Sequence, residues 1–174
     1  MTPPRPTSPR KPLPLAPPPG PAPDPAPTGP PVPLGPLRHP AEAYRRLEAV
    51  YEDLERELGP IRPRCDARGL CCDFDAVDHV LYASKLEVDY VKDHVARERY
   101  AAPTGNVCPL LDGALCGARA VRMLGCRIYY CDPAWQAPSA DLYEKHYARI
   151  KAIAVDLGLE WRYAPALVQL REPE

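Results

Sequence analysis

Every cysteine in this chain belongs to one of two clusters. Cys65, Cys71 and Cys72 lie in RCDARGLCCDF, and Cys108, Cys116, Cys126 and Cys131 lie in CPLLDGALCGARAVRMLGCRIYYCD. Seven grouped thiols read as ligands before they read as packing, because a thiolate is a soft donor suited to zinc or an iron–sulfur cluster. All seven are therefore candidate metal ligands. Between the clusters the sequence predicts a helix, so the two groups can be tied together only by packing or by a shared metal.

The spacing narrows the kind of site. Successive cysteines within the clusters are separated by five, zero, seven, nine and four residues. There is no C-x2-C, the knuckle that presents two thiolates from one tight turn of a zinc ribbon. Cys71 and Cys72 are neighbours, and adjacent side chains diverge in both helix and strand. They are expected to serve two sites, or two irons of one larger cluster.

Composition sets the size of the folded part. Of the 26 prolines, 18 fall in the first 40 residues. Residues 1–39 are read as a disordered proline-rich tail, since such composition cannot repay the entropy of ordering. PPRP within it fits a minimal PxxP pattern, a possible contact for a protein partner. Residues 40–174 are read as the cysteine-cluster domain, with about 130 residues to build a modest core. The net charge of −1 gives no electrostatic case for nucleic acid. No apolar run approaches a signal peptide's core or a membrane span. The expectation is a cytoplasmic protein without a membrane partner, where grouped thiols hold metal rather than form disulfides.

The fold class expected is mainly α with a small β-hairpin, a single cysteine-rich domain stabilised by metal. Tyr44, Leu47, Tyr51, Leu54 and Leu58 recur at helical spacing after Pro40, and Gly59-Pro60 is expected to stop that helix. FDAVDHVLYAS suggests an extended segment. Ser84-Lys85-Leu86-Glu87 has the capping-box form and should open a second helix running to about Arg99. Asp112-Gly113 marks a hairpin between Val107 and Leu115. A helical turn from Ala118 to Leu124 closed by Gly125 should follow, with Cys126–Cys131 extended or irregular. The last long helix should begin at Pro138-Ser139, face Leu142, His146, Ile150, Ile153 and Leu157 inward, and end at Gly158. The tail LEWRYAPALVQL should pack back onto the domain.

The run C-x5-C-C-D-F, then C-P-L-L, then R-x-L-G-C-R-x-Y-Y-C-D resembles the cysteine-cluster family named for its CxxCxxCC motif, also called YkgJ-like. That family is described as zinc- or iron-chelating. The resemblance spans about residues 44–163 and implies a metal, with little about its use. Arg68 stands where the family has its second cysteine, and Met123 where it usually has proline. Seven thiols complete one four-cysteine site and leave three, so Arg68 is expected to offset thiolate charge beside a three-cysteine site. His79 is the nearer non-cysteine ligand candidate and His94 the next, whereas His146 reads as packing. Asp73, Asp75 and Asp132 suit turn capping better than support of a metal shell. The function expected is a small metal-binding protein holding an iron–sulfur cluster or zinc. The alternative is an iron–sulfur oxidoreductase, although no nucleotide fingerprint, radical motif or hydrolase signature is present.

Overall fold

The computed structural model describes residues 31–65, 69–77, 80–102 and 105–173. The proline-rich segment before residue 31, Arg68 and His79 lie outside these, together with the expectations placed on them. The described chain is mainly helical, with two short antiparallel strand pairs.

Helix α1 (Ala41–Ile61) buries Ala43, Tyr44, Leu47, Val50, Tyr51, Leu54 and Leu58, the stripe expected from the sequence with two further positions. It does not stop at Gly59-Pro60. Proline's fixed φ is itself helical, and so near the end it costs only one ladder bond. The stop comes at Arg62, whose φ of 47° is left-handed and whose N–H donates to Leu58 O at 2.9 Å.

Strand β1 (Tyr82–Ser84) leads directly into α2 (Lys85–His94). The capping box forms as expected: Glu87 N–H donates to Ser84 Oγ, and Ser84 N–H donates to Glu87 Oε2 at 2.9 Å. The helix is shorter than predicted. It ends at His94, and a separate 3-10 turn covers Arg97–Arg99. Ser84 and Glu87 satisfy the first turn locally, but nothing comparable carries the helix past Val95, which is extended. Both faces of α2 are covered, so Glu87, Asp89 and Asp93 are buried with the apolar Leu86, Tyr90 and Val91.

The hairpin is present and shifted. Strands β2 (Leu111–Asp112) and β3 (Leu115–Cys116) pair across Gly113-Ala114, with Gly113 at φ 58°. Helix α3 (Leu124–Ile128) lies where irregular chain was expected, and the turn before it is a 3-10 turn over Arg119–Val121. Gly125 therefore sits inside a helix rather than closing one. Helix α4 (Gln136–Asp156) starts two residues before the expected Pro138. A 3-10 turn over Pro133–Trp135 feeds straight into it. Pro138 falls in the first turn, where the missing N–H has no intrahelical partner to lose.

The far end of α4 closes as the sequence indicates. Gly158 is left-handed, its N–H donates to Val155 O at 3.2 Å, and Leu159 N–H donates to Ala154 O at 2.8 Å. This is a Schellman closure. Ile150 and Ile153 are buried against α1, while Leu142 and Leu157 are only half-buried. His146 is fully buried and shares a 3.2 Å contact through Nε2 with Glu57. The tail packs back as strand β4 (Tyr163–Pro165), antiparallel to β1, followed by α5 (Ala166–Arg171) against α2. No helix among the described residues is long and apolar enough to cross a membrane.

Contacts with α2 reach back before Pro40. Leu34 N–H donates to Asp93 O at 2.9 Å, Arg38 N–H and guanidinium donate to the Asp93 carboxylate, and His39 Nε2 lies 2.8 Å from Asp89 Oδ2. Tyr44 Oη also donates to Asp93, at 2.6 Å. A chain beginning at residue 40 leaves the Asp93 carboxylate, whose side chain is 1% exposed, without its arginine. Denaturant unfolding should place that chain about 3 kcal/mol below one beginning at residue 34; equal stabilities would show that the upstream contacts carry no weight.

Glu87 offers a sharper measurement. Its carboxylate accepts from Ser84 N–H and Oγ, from Tyr51 Oη at 3.2 Å and from Leu124 N–H at 2.8 Å. Glu87→Ala should cost about 3 kcal/mol or more because several buried donors lose their acceptor at once. Ser84→Ala should cost about 1 kcal/mol, the usual value of one cap. Similar losses for the two variants would show that Glu87 serves only the cap.

Candidate metal centre

The first cysteine turn is built on a glycine. Gly69, at φ 69°, precedes the 3-10 turn Leu70–Cys72, and Cys72 N–H donates to Gly69 O at 2.8 Å. A Cβ at Gly69 would lie 3.0 Å from Leu111 Cδ1 and 3.2 Å from Ala114 O, so the hairpin rests directly on this turn. The segment after it is stitched antiparallel to the second cluster. Cys108 N–H donates to Cys72 O at 2.7 Å, Phe74 N–H donates to Asn106 O at 3.1 Å, and Asp73 bridges Val107. Cys116 comes in on β3, and α3 supplies Cys126.

These segments bring five sulfurs together. Cys71, Cys72, Cys108, Cys116 and Cys126 line one cavity of about 40 Å³, walled by apolar side chains that include Phe74, Leu81, Val91, Leu110 and Met123. All seven cysteines are free. Cys72 sits at the middle, hydrogen-bonded to Cys108, Cys116 and Cys71. Adjacent Cys71 and Cys72 therefore face one cavity rather than two separate sites, because the tight 3-10 turn carries both round to it. Among the described residues no group of three or more His, Cys, Asp or Glu side chains is placed to hold a metal ion. The thiols share hydrogen bonds instead.

Protonation is divided unequally among them. The hydrogen bond from Cys72 pulls Cys116 down to about 6, helped by the Ala118 amide and by Arg122 and Arg119. The same donor and Arg122 bring Cys71 down to about 7. Cys108 is lowered mainly by Cys72. Cys72, within hydrogen-bonding reach of Cys108, Cys116 and Cys71, is held as a thiol well above the ordinary range. Burial and the surrounding thiolates push Cys126 up as well. Cys71, Cys108 and Cys116 are thus shifted toward the thiolate, and Cys72 and Cys126 toward the thiol.

Arg122 is the residue that sequence reasoning passed over. It lines the cavity, acts electrostatically on Cys71, Cys116 and Cys126, and keeps a buried Nε with no hydrogen-bond acceptor among the described residues. Charge offset of this kind was expected of Arg68, which lies outside the described residues. The available signal was a pair of arginines between Cys116 and Cys126, the second of which opens the R-x-L-G-C-R run but was given no role.

Cys65 and Cys131 do not line the cavity. Cys65 is exposed and Cys131 half-buried, and their segments approach one another where Arg64 N–H points at Asp132 Oδ2, 3.5 Å away. The three aspartates flanking the cysteines do turn work. Asp73 accepts from Ala76 N–H, Asp75 from Asn106, and Asp132 from Ala134 N–H. His94 is occupied elsewhere, its Nδ1 2.6 Å from Tyr90 O and its ring 4.3 Å from the Tyr90 ring.

No family model, no curated protein and no solved structure matches this chain.

The proton distribution is directly measurable. In metal-stripped, folded protein at pH 7, iodoacetamide should modify Cys116 and Cys71 well before Cys126 and Cys72, since only the thiolate reacts. Lowered folded values mean that the thiolate stabilises the fold at alkaline pH. That contribution fades as the pH falls through about 7 and then about 6. Equal labelling rates across the five thiols would contradict this division.

Proposed function

We propose that this chain is a thiolate metal-binding protein, holding zinc or an iron–sulfur cluster among Cys71, Cys72, Cys108, Cys116 and Cys126. The observation that carries the reading is the convergence of five sulfurs, drawn from four separate stretches of chain, on one apolar-walled cavity. Cysteines retained for packing alone have no reason to meet in this way. The donor chemistry fits: soft sulfur, three members already shifted toward thiolate, and a buried arginine donor left over at the rim. The resemblance to the zinc- or iron-chelating cysteine-cluster family points the same way.

Bound, such a metal would supply cross-links between segments far apart in sequence, or an electron-carrying centre if it is iron. The chain's own residues do the rest. Phe74, Leu81, Val91, Leu110 and Met123 exclude water, which strengthens every charge interaction inside. Arg122 offsets the negative charge of the thiolate rim. Cys72 and Cys126 give up their protons on binding, so affinity should fall as the pH drops. Cys65 and Cys131, outside the cavity, belong to a second and more exposed site if they bind metal at all.

The deciding experiment is anaerobic purification followed by elemental analysis and a visible spectrum. Broad visible absorbance with iron and sulfide indicates a cluster, and a colourless protein with stoichiometric zinc indicates a single ion. Neither metal above trace levels would overturn the proposal. Cys72→Ser should lose most of the bound metal and melt at a markedly lower temperature, because metal binding energy in a core this small appears as folding energy. Cys131→Ser should keep the metal of the cavity.

A further inference from the structure

Beside the thiol cavity lies a second, larger and more open hollow that the metal reading does not use. It has a volume of about 330 Å³, within the size range of small-molecule sites. Five tyrosines line it: Tyr82, Tyr129, Tyr130, Tyr143 and Tyr163. Tyr82 stacks on Tyr163 with centroids 5.6 Å apart, and Tyr143 and Tyr163 join hydroxyls at 2.5 Å. The rings are held further from behind. Tyr147 meets Tyr163 edge-on at 5.0 Å, and Trp161 lies parallel to Tyr163 at 6.3 Å. Aromatic side chains braced in this way keep fixed positions, as a recognition site requires.

Charge selects the class of ligand. Among the described residues lining the hollow, Glu144 is the one charged side chain, and it is exposed. No lysine or arginine is among them. Tyrosine rings present electron-rich faces that attract cations, and ammonium ligands are recognised by aromatic groups of this kind. An anionic ligand would meet a carboxylate and tyrosine rings, with no cation among the described lining residues to receive it. Burial keeps Tyr143 and Tyr163 protonated, helped at Tyr143 by its hydroxyl contact, so the rings remain neutral donors of π density.

We propose that this tyrosine-lined hollow is a binding site for a small organic ammonium ion. The site stands on β1, α3, α4 and β4 and does not depend on the metal reading. Its position is nevertheless informative. Leu81, Gly125 and Tyr129 line both this hollow and the thiol cavity, so a ligand here would lie one layer of side chains from the sulfurs. A Cβ at Gly125 would fall 2.5 Å from Leu81 Cδ1, and glycine is what allows that layer to be so thin.

Choline is a suitable probe, with its neutral isostere 3,3-dimethylbutan-1-ol as the control. Titration of the full chain, followed by tryptophan fluorescence from Trp161 and checked by calorimetry, should show saturable choline binding. The isostere should bind about five-fold more weakly or worse. Tyr82→Ala should weaken choline binding by about five-fold and Glu144→Gln by about two- to three-fold. Metal content should be unchanged in both variants. The proposal fails if choline does not saturate, or if the isostere binds as well as choline. It fails equally if Tyr82→Ala and Glu144→Gln both leave choline affinity unaltered.

Discussion

The Glu87 carboxylate holds this structure in register. A carboxylate only 3% exposed is tolerable only when its oxygens are taken up by donors, and those donors come from three elements. Ser84 ties it to the start of α2, Tyr51 to the middle of α1, and the Leu124 amide to the first residue of α3. Two residues beyond Leu124 stands Cys126. The position of one cavity thiol is thus fixed by a carboxylate that touches no sulfur. Arg127 adds a second tie on the same helix, lying 4.0 Å over the Tyr51 ring while donating to the carbonyls of Arg122 and Ala120.

That arrangement explains how a small fold can bring so many thiols together. The cysteine turn and the chain leading to the hairpin are joined by backbone hydrogen bonds, and the hairpin is seated on Gly69. Polar groups on these segments are satisfied by neighbouring backbone and turn aspartates, which leaves the sulfurs with one another and with Arg122. The site is therefore rigid on the side of Cys72 and Cys108 and is closed by α3 on the other.

What the sequence disclosed was mostly local. The capping box of Ser84 and Glu87, the apolar stripe of α1 and the left-handed Gly158 are each read within a few residues, and each is present. Strand β4 was legible only as an apolar tail, because its identity comes from pairing with β1, some eighty positions upstream. The cysteines announced themselves as a group, yet their division into five and two was hidden. It depends on α3 being helical where irregular chain was expected, and on a 3-10 turn that carries adjacent Cys71 and Cys72 to one side. Glu87's second duty, to Leu124, left no local trace.

The antiparallel join between Asp73 and Val107 has a consequence for how the molecule assembles. The chain between Cys72 and Cys108 contains β1 and the whole of α2, so these thiols can meet only when that long loop has closed. Closing it carries an entropic cost that local contacts do not. Once α2 is docked through its buried carboxylates, the effective loop is shorter. In a chain emerging from the ribosome, Cys71 and Cys72 therefore cannot meet Cys108 and Cys116 until the hairpin has been synthesised.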